Sequence, residues 1–237
     1  MTVDTIVHTF TVKLGRPENI AKAVSVYRGC ASSARRFHKV ALYTDHESLP
    51  LLGDAYEDVR VIPTDGFFML DDMKLAALPL IGTNEVLVDG DVYLRSPLSI
   101  RPDCDAVCDL GVPTERSLPC IETLNLMTRM GITDRIPFYR AGLTAVPNIG
   151  VLRFSCDKVR DGYLKWFGVL RDWIKDNGLA DADDRTRRRL TVKTTPQYLL
   201  GAYMRSEGKE ICYARHQNDY THYMLDAKYR DGFRLGE

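Results

Sequence analysis

Long hydrophobic runs are missing from this sequence. Nowhere does it approach the ~18 uninterrupted apolar residues that a membrane-crossing helix needs, which argues against insertion as a helical membrane protein. Its opening residues, Met-Thr-Val-Asp-Thr-Ile-Val-His, have neither the basic start nor the apolar stretch of a secretory leader, so a cytoplasmic protein is expected. Excess charge is missing too. Lys plus Arg and Asp plus Glu both total 32, so no global field draws the chain to nucleic acid or to an anionic membrane surface, and an anionic substrate has to be held by local groups. There is no Cys-x-x-Cys. The six cysteines (Cys30, Cys104, Cys108, Cys120, Cys156, Cys212) are expected to be free thiols, because a chain of 237 residues buries a core without covalent help. Cys104 and Cys108 stand one helical turn apart, but no nearby histidine completes a zinc set with them. Internal repeats and low-complexity linkers are absent as well.

What is present is an alternation of two periods. Residues 6–12 are β-branched and aromatic and read as a strand; Pro17 and Glu18 then suit the first turn of a helix whose stripe is Ile20, Ala23, Val24, Tyr27, Ala31 and Ala34. Residues 40–44 form a second strand ending at Asp45, residues 59–62 a third, residues 70–80 a helix, and residues 85–88 a fourth, buried strand that stops on Asp89-Gly90-Asp91. Such alternation predicts a mostly parallel sheet flanked by helices, with right-handed crossovers and ligands at the carboxyl ends of the strands. The second half is less regular. Residues 106–108 read as a strand, 111–147 as a long surface excursion of the kind that shapes substrate pockets, and 149–154 as a strand again. Val159, Tyr163, Trp166, Phe167, Leu170, Trp173 and Ile174 give a helical core stripe closed by Gly178. The charge run 183–189 reads as a solvated loop, with an anchor for an acidic acceptor as the alternative.

Asp89-Gly90-Asp91 carries the chemistry. Hard divalent cations want oxygen ligands, and two carboxylates separated by one residue at the end of a buried strand offer them, while Gly90 lets the backbone turn and come close to a phosphate. A cation there stabilises a diphosphate leaving group as negative charge develops on it. The plain alternative is a polar turn after a strand.

Residues 86–94, Val-Leu-Val-Asp-Gly-Asp-Val-Tyr-Leu, followed by Ser96-Pro97-Leu98, resemble the metal-binding segment of glycosyltransferases of the GT-A fold. Pro147-Asn148-Ile149-Gly150-Val151-Leu152 is similar to the Asn-x-Gly strand of glycosyltransferase family eight, the group of glycogenin and the bacterial lipooligosaccharide galactosyltransferases. The stretch 222–228 opens with that family's His-aromatic pair and ends on its lysine six positions later. The resemblance implies one GT-A domain over 1–237, with 1–95 as the nucleotide-binding half and 96–237 as the acceptor side and C-terminal metal and diphosphate segment. It implies a hexosyltransferase that moves a sugar from a nucleotide-diphosphate donor to a glycan or other hydroxyl acceptor with Mn2+ or Mg2+. Asp89, Asp91 and His222 are then the metal ligands. Thr9, Thr11, Lys74, Asp89, Asn148 and Lys228 become donor contacts, with His216 a weaker rival to His222. Gln197 and Asp109 become catalytic or acceptor-side groups. The chain departs from the family pattern at Leu225, where the family has glycine, at Tyr229-Arg230, where it has Pro-Trp, and at Pro196-Gln197, where it has Asp-Gln.

Other reaction classes are less well served. A sugar-phosphate nucleotidyltransferase needs a glycine-rich basic loop after the first strand, and residues 11–17 contain one glycine. A phosphatase with an aspartyl nucleophile carries its aspartates on the first strand, not the fourth. A non-catalytic module that kept the donor pocket is the remaining alternative.

Overall fold

The computed structural model describes residues 3–13, 17–69, 71–113, 118–140, 142–143, 145–181, 195–214 and 220–222. Lys228, His216 and the charge run 183–189 lie outside them. The elements in chain order are strand β1 (Thr5–Phe10), helix α1 (Ile20–Arg35), β2 (Lys39–Thr44), the short α2 (Leu49–Leu52), β3 (Asp58–Val61), α3 (Asp72–Ala77), β4 (Glu85–Val88), β5 (Val92–Leu94) and β6 (Ala106–Cys108). Next come β7 (Gly111–Pro113), α4 (Leu118–Arg129), α5 (Ile132–Arg135), β8 (Ala145–Pro147), β9 (Val151–Phe154), α6 (Asp157–Asp176), α7 (Thr195–Ser206), β10 (Ile211–Tyr213) and β11 (Tyr220–His222).

Seven strands make the central sheet in the order β10-β6-β9-β4-β1-β2-β3. All neighbours are parallel except β9, which runs against both β4 and β6. Alternating side chains feed two cores, as a strand's period of two requires. Ile6, Leu42, Val86, Val88 and Val151 pack on the α1 side, while Val7, Tyr43, Leu87, Leu152 and Cys108 pack under α3, α6 and α7. The fold is therefore mixed α/β, with a mostly parallel sheet between helices. The α6 stripe is core packing, with Tyr163, Phe167, Leu170 and Trp173 buried, and the helix gives way at Gly178, whose φ of 67° needs glycine.

Three expectations change. The stretch read as a helix over 70–80 is α3 followed by a three-residue 3-10 turn, because Pro79 cannot continue the α-helical ladder. The excursion 111–147 is not mainly loop: it holds two helices, and its ends close as an antiparallel hairpin in which Gly111 faces Pro147. That hairpin explains why β9 is antiparallel. The chain leaves β6 at the carboxyl edge, stays there, and re-enters the sheet from that edge. Lastly, not all the cysteines are free: Cys104 and Cys212 form a disulfide across 108 residues, with Cα atoms 5.9 Å apart. Local spacing does not report two cysteines that only tertiary pairing brings together, here the approach to β6 and edge strand β10, which pair in parallel. Such cross-links persist in oxidising surroundings and are rare in a reducing cytoplasm. Among the described residues no helix is long and apolar enough to cross a membrane.

Candidate metal centre

Because β9 alone is reversed, the carboxyl ends of β1, β4 and β6 and the amino end of β9 share one edge of the sheet. That edge collects Asp89 after β4, Asp109 after β6, and Asn148 and Gly150 before β9. The backbone knits them together: Asp89 N–H donates to Gly150 O at 2.7 Å, Asp109 N–H to Asn148 O at 2.9 Å, and Gly150 N–H to the Asn148 side chain at 2.8 Å. Gly90 is required for packing. A Cβ there would lie 2.0 Å from the Tyr27 ring, which crosses from α1 to donate its hydroxyl to Thr9 O.

The histidine arrives from far along the chain. β11 pairs antiparallel with β5, setting His222 opposite Val92, the residue after Asp91. His222 Nε2 then lies 3.3 Å from Asp91 Oδ1 and 3.7 Å from Asp89 Oδ2. One ligand atom from each of Asp89, Asp91 and His222 fits within 4.8 Å of the others, the compactness a single ion demands. Asp91 and His222 are buried and Asp89 is partly open, so the cluster faces solvent on the Asp89 side.

Around this trio sit groups that adjust it. Lys74 Nζ is 2.6 Å from Asp89 and 3.3 Å from Asp71. Burial alone lowers its pKa, but the two carboxylates outweigh that and hold it above the ordinary lysine value. Burial raises the Asp71 carboxyl, against the pull of Lys74. His222 Nδ1 donates to Asp109 Oδ2 at 2.5 Å, and Tyr220 OH donates to Asp109 Oδ1 at 2.6 Å. Burial opposes charging His222, yet its hydrogen bonds to Asp109 and Asp91 and the charges of Asp91 and Asp89 push its pKa up to about 10. Four carboxylates thus face one ammonium and one imidazole, a surplus of negative charge that a divalent cation offsets.

Of the residues named from sequence, the structure brings together Asp89, Asp91, His222, Asp109 and Lys74, with Asn148 as the turn supporting Gly150. Thr9 and Thr11 lie at the carboxyl end of β1; the Thr11 hydroxyl accepts from Lys13 N–H and shares a hydrogen bond with Asp45. Gln197 is half-buried in the first turn of α7, a helix packed on β8. Asp109 is fully buried with both oxygens engaged. Sequence reasoning missed Asp71 and Tyr220. Asp71 stands three residues before Lys74 on one helical face, and Tyr220 stands two before His222 on one strand face; those spacings were the available signals.

No protein-family profile matches this sequence, and no curated protein sequence does either. Among solved structures, mouse xyloside xylosyltransferase 1 in its apo form is similar over 89% of this chain and 84% of its own, at 12% identity and a TM-score of 0.46. That likeness is too distant to decide fold or function.

Proposed function

We propose that this chain is a metal-dependent glycosyltransferase of the GT-A kind, taking a sugar, a hexose by preference, from a nucleotide-diphosphate donor to a glycan-type hydroxyl acceptor. The observation that supports it is the convergence of Asp89, Asp91 and His222 at the carboxyl end of a buried parallel strand. Two carboxylates and an imidazole suit Mn2+, and Mg2+ less well, since Mg2+ favours all-oxygen sets. The residues fit such an ion: their ligand atoms are close enough, and their negative surplus calls for positive charge. A bound cation supplies charge neutralisation to the departing diphosphate. Asp89 and Asp91 orient it, His222 completes the protein ligands, and Lys74 adds a positive charge beside Asp89. Thr9 and Thr11, at the end of β1, border the nucleoside, and Asn148 the sugar. Lys228 is a further candidate for the diphosphate. A single domain carries these parts.

The test has two arms. A thermal-shift panel of nucleotide sugars, with and without manganese, should show a donor at ~100 times its dissociation constant stabilising the fold by about 2.7 kcal/mol. Asp91→Asn should keep the fold and abolish metal-dependent transfer. No stabilisation by any nucleotide sugar, or transfer by the variant within a few-fold of wild type at saturating manganese, would sink the reading.

A further inference from the structure

We infer that Asp109 and Tyr220 form a positioning relay that fixes which nitrogen of His222 meets the cation, an inference that rests on the metal reading above. A cation ligates a neutral imidazole, with one N–H and one lone pair, and so displaces the second ring proton that His222 carries beside Asp91 and Asp89. A carboxylate oxygen accepts, so Asp109 Oδ2, 2.5 Å from Nδ1, holds the hydrogen on Nδ1 and leaves the lone pair on Nε2. Nε2 is the nitrogen that faces Asp91 at 3.3 Å and Asp89 at 3.7 Å. The carboxylate is itself held. Its other oxygen accepts from Tyr220 OH at 2.6 Å, its backbone N–H is tied to Asn148 O, and its side chain is 0% exposed, so no water competes for it. Tyr220 and His222 lie two residues apart on β11 and reach the same carboxylate from one strand face. Asp109 therefore acts through the histidine. This role differs from the acceptor-side part that its place after β6 suggested.

Asp109→Asn separates this role from packing. The amide keeps the shape and an oxygen for Tyr220, but its NH2 turns a donor toward Nδ1, which moves the imidazole hydrogen to Nε2 and blocks ligation. Manganese binding by purified protein, followed by the paramagnetic resonance of free Mn2+, should weaken about 10–100-fold, the usual cost of losing a partner behind a metal ligand. The metal-free melting point should stay near wild type. In magnesium-loaded, 15N-histidine-labelled protein, the proton should sit on Nδ1 of His222 in the wild type and on Nε2 in the variant. Tyr220→Phe, which deletes only the hydroxyl, should keep the wild-type tautomer and weaken manganese binding by a smaller factor, and it serves as the test should the asparagine variant fold poorly. Wild-type manganese affinity in both variants, or a proton that stays on Nδ1 in Asp109→Asn, would overturn the relay while leaving the metal reading standing. Absence of manganese binding by the wild-type chain would overturn the metal reading and the relay with it.

Discussion

Replacing Gly150 by alanine should damage the candidate metal centre without altering any group in it. Gly150 lies outside the left-handed region, so alanine can adopt its backbone conformation. The difficulty is steric: a Cβ would stand 2.3 Å from His222 Cε1 and 2.7 Å from Nδ1. Ordinary carbon contacts begin near ~3.5 Å, so the ring has to withdraw by roughly 1 Å. The backbone cannot give way instead, because Gly150 O accepts from Asp89 N–H at 2.7 Å and Gly150 N–H is held by Asn148. Withdrawal by that amount stretches the 2.5 Å bond to Asp109 beyond useful hydrogen-bond length. Overpacking of this kind costs about 1–3 kcal/mol, or a fall in melting temperature of about 2–12 °C at 2–4 °C per kcal/mol. The imidazole also loses its aim, so manganese affinity should drop at least ~10-fold. The assay is a thermal melt beside a manganese titration of the folded protein. Gly168→Ala is the control: nothing lies within 4 Å of a Cβ there, and alanine inside α6 should stabilise by about 0.5–1 kcal/mol without touching manganese binding. A Gly150→Ala protein that melts lower yet binds manganese as wild type would refute the steric link between β9 and His222.

Further outcomes are expected elsewhere. His8 is fully buried, and burial lowers its pKa to about 4, only partly opposed by the charge of Asp91; its Nε2 has no hydrogen-bond partner among the described residues. The unfolded chain takes up that proton first, so the stability His8 contributes is full above pH 6.5 and is lost as pH falls toward 4, about 3 kcal/mol in all at 1.36 kcal/mol per unit. Urea melts of wild type and His8→Met should diverge in that window; parallel curves would exclude His8. Lys74→Met leaves Asp71 and Asp89 without their ammonium. It should cost up to about 3 kcal/mol, the low end for a broken buried pair because Asp89 is partly open, and added manganese should restore more stability to the variant than to wild type in thermal-shift measurements. Peptide mapping without reduction should recover Cys104 and Cys212 in one linked fragment, and Cys104→Ser should lower stability by about 2–5 kcal/mol.

Local signals carried the first half of the fold. β1, β2 and β4 are short apolar runs stopped by polar residues, and α1 and α6 have clean stripes, so each could be read from its own residues. Asp89 and Asp91 were legible for the same reason, as the stop of a buried strand. His222 was legible only through resemblance, since its approach to Asp91 depends on β11 pairing with β5. Asp109 was picked out as the end of a strand, but its partners were not: they lie 111 and 113 residues away, and no window of sequence reports a hydrogen bond of that span. The reversal of β9 and the disulfide escaped notice on the same ground, because each is decided by where the chain returns.

The pairing of β5 with β11 also bears on a chain still being synthesised. A nascent polypeptide that has emerged through β5 already carries both aspartates, together with Lys74 and the four parallel strands beneath them. The imidazole arrives more than a hundred residues later, after both flanking cores have their helices. A partly made chain therefore holds only the two carboxylates of the proposed ligand set, and the set is complete only when β11 has docked on β5.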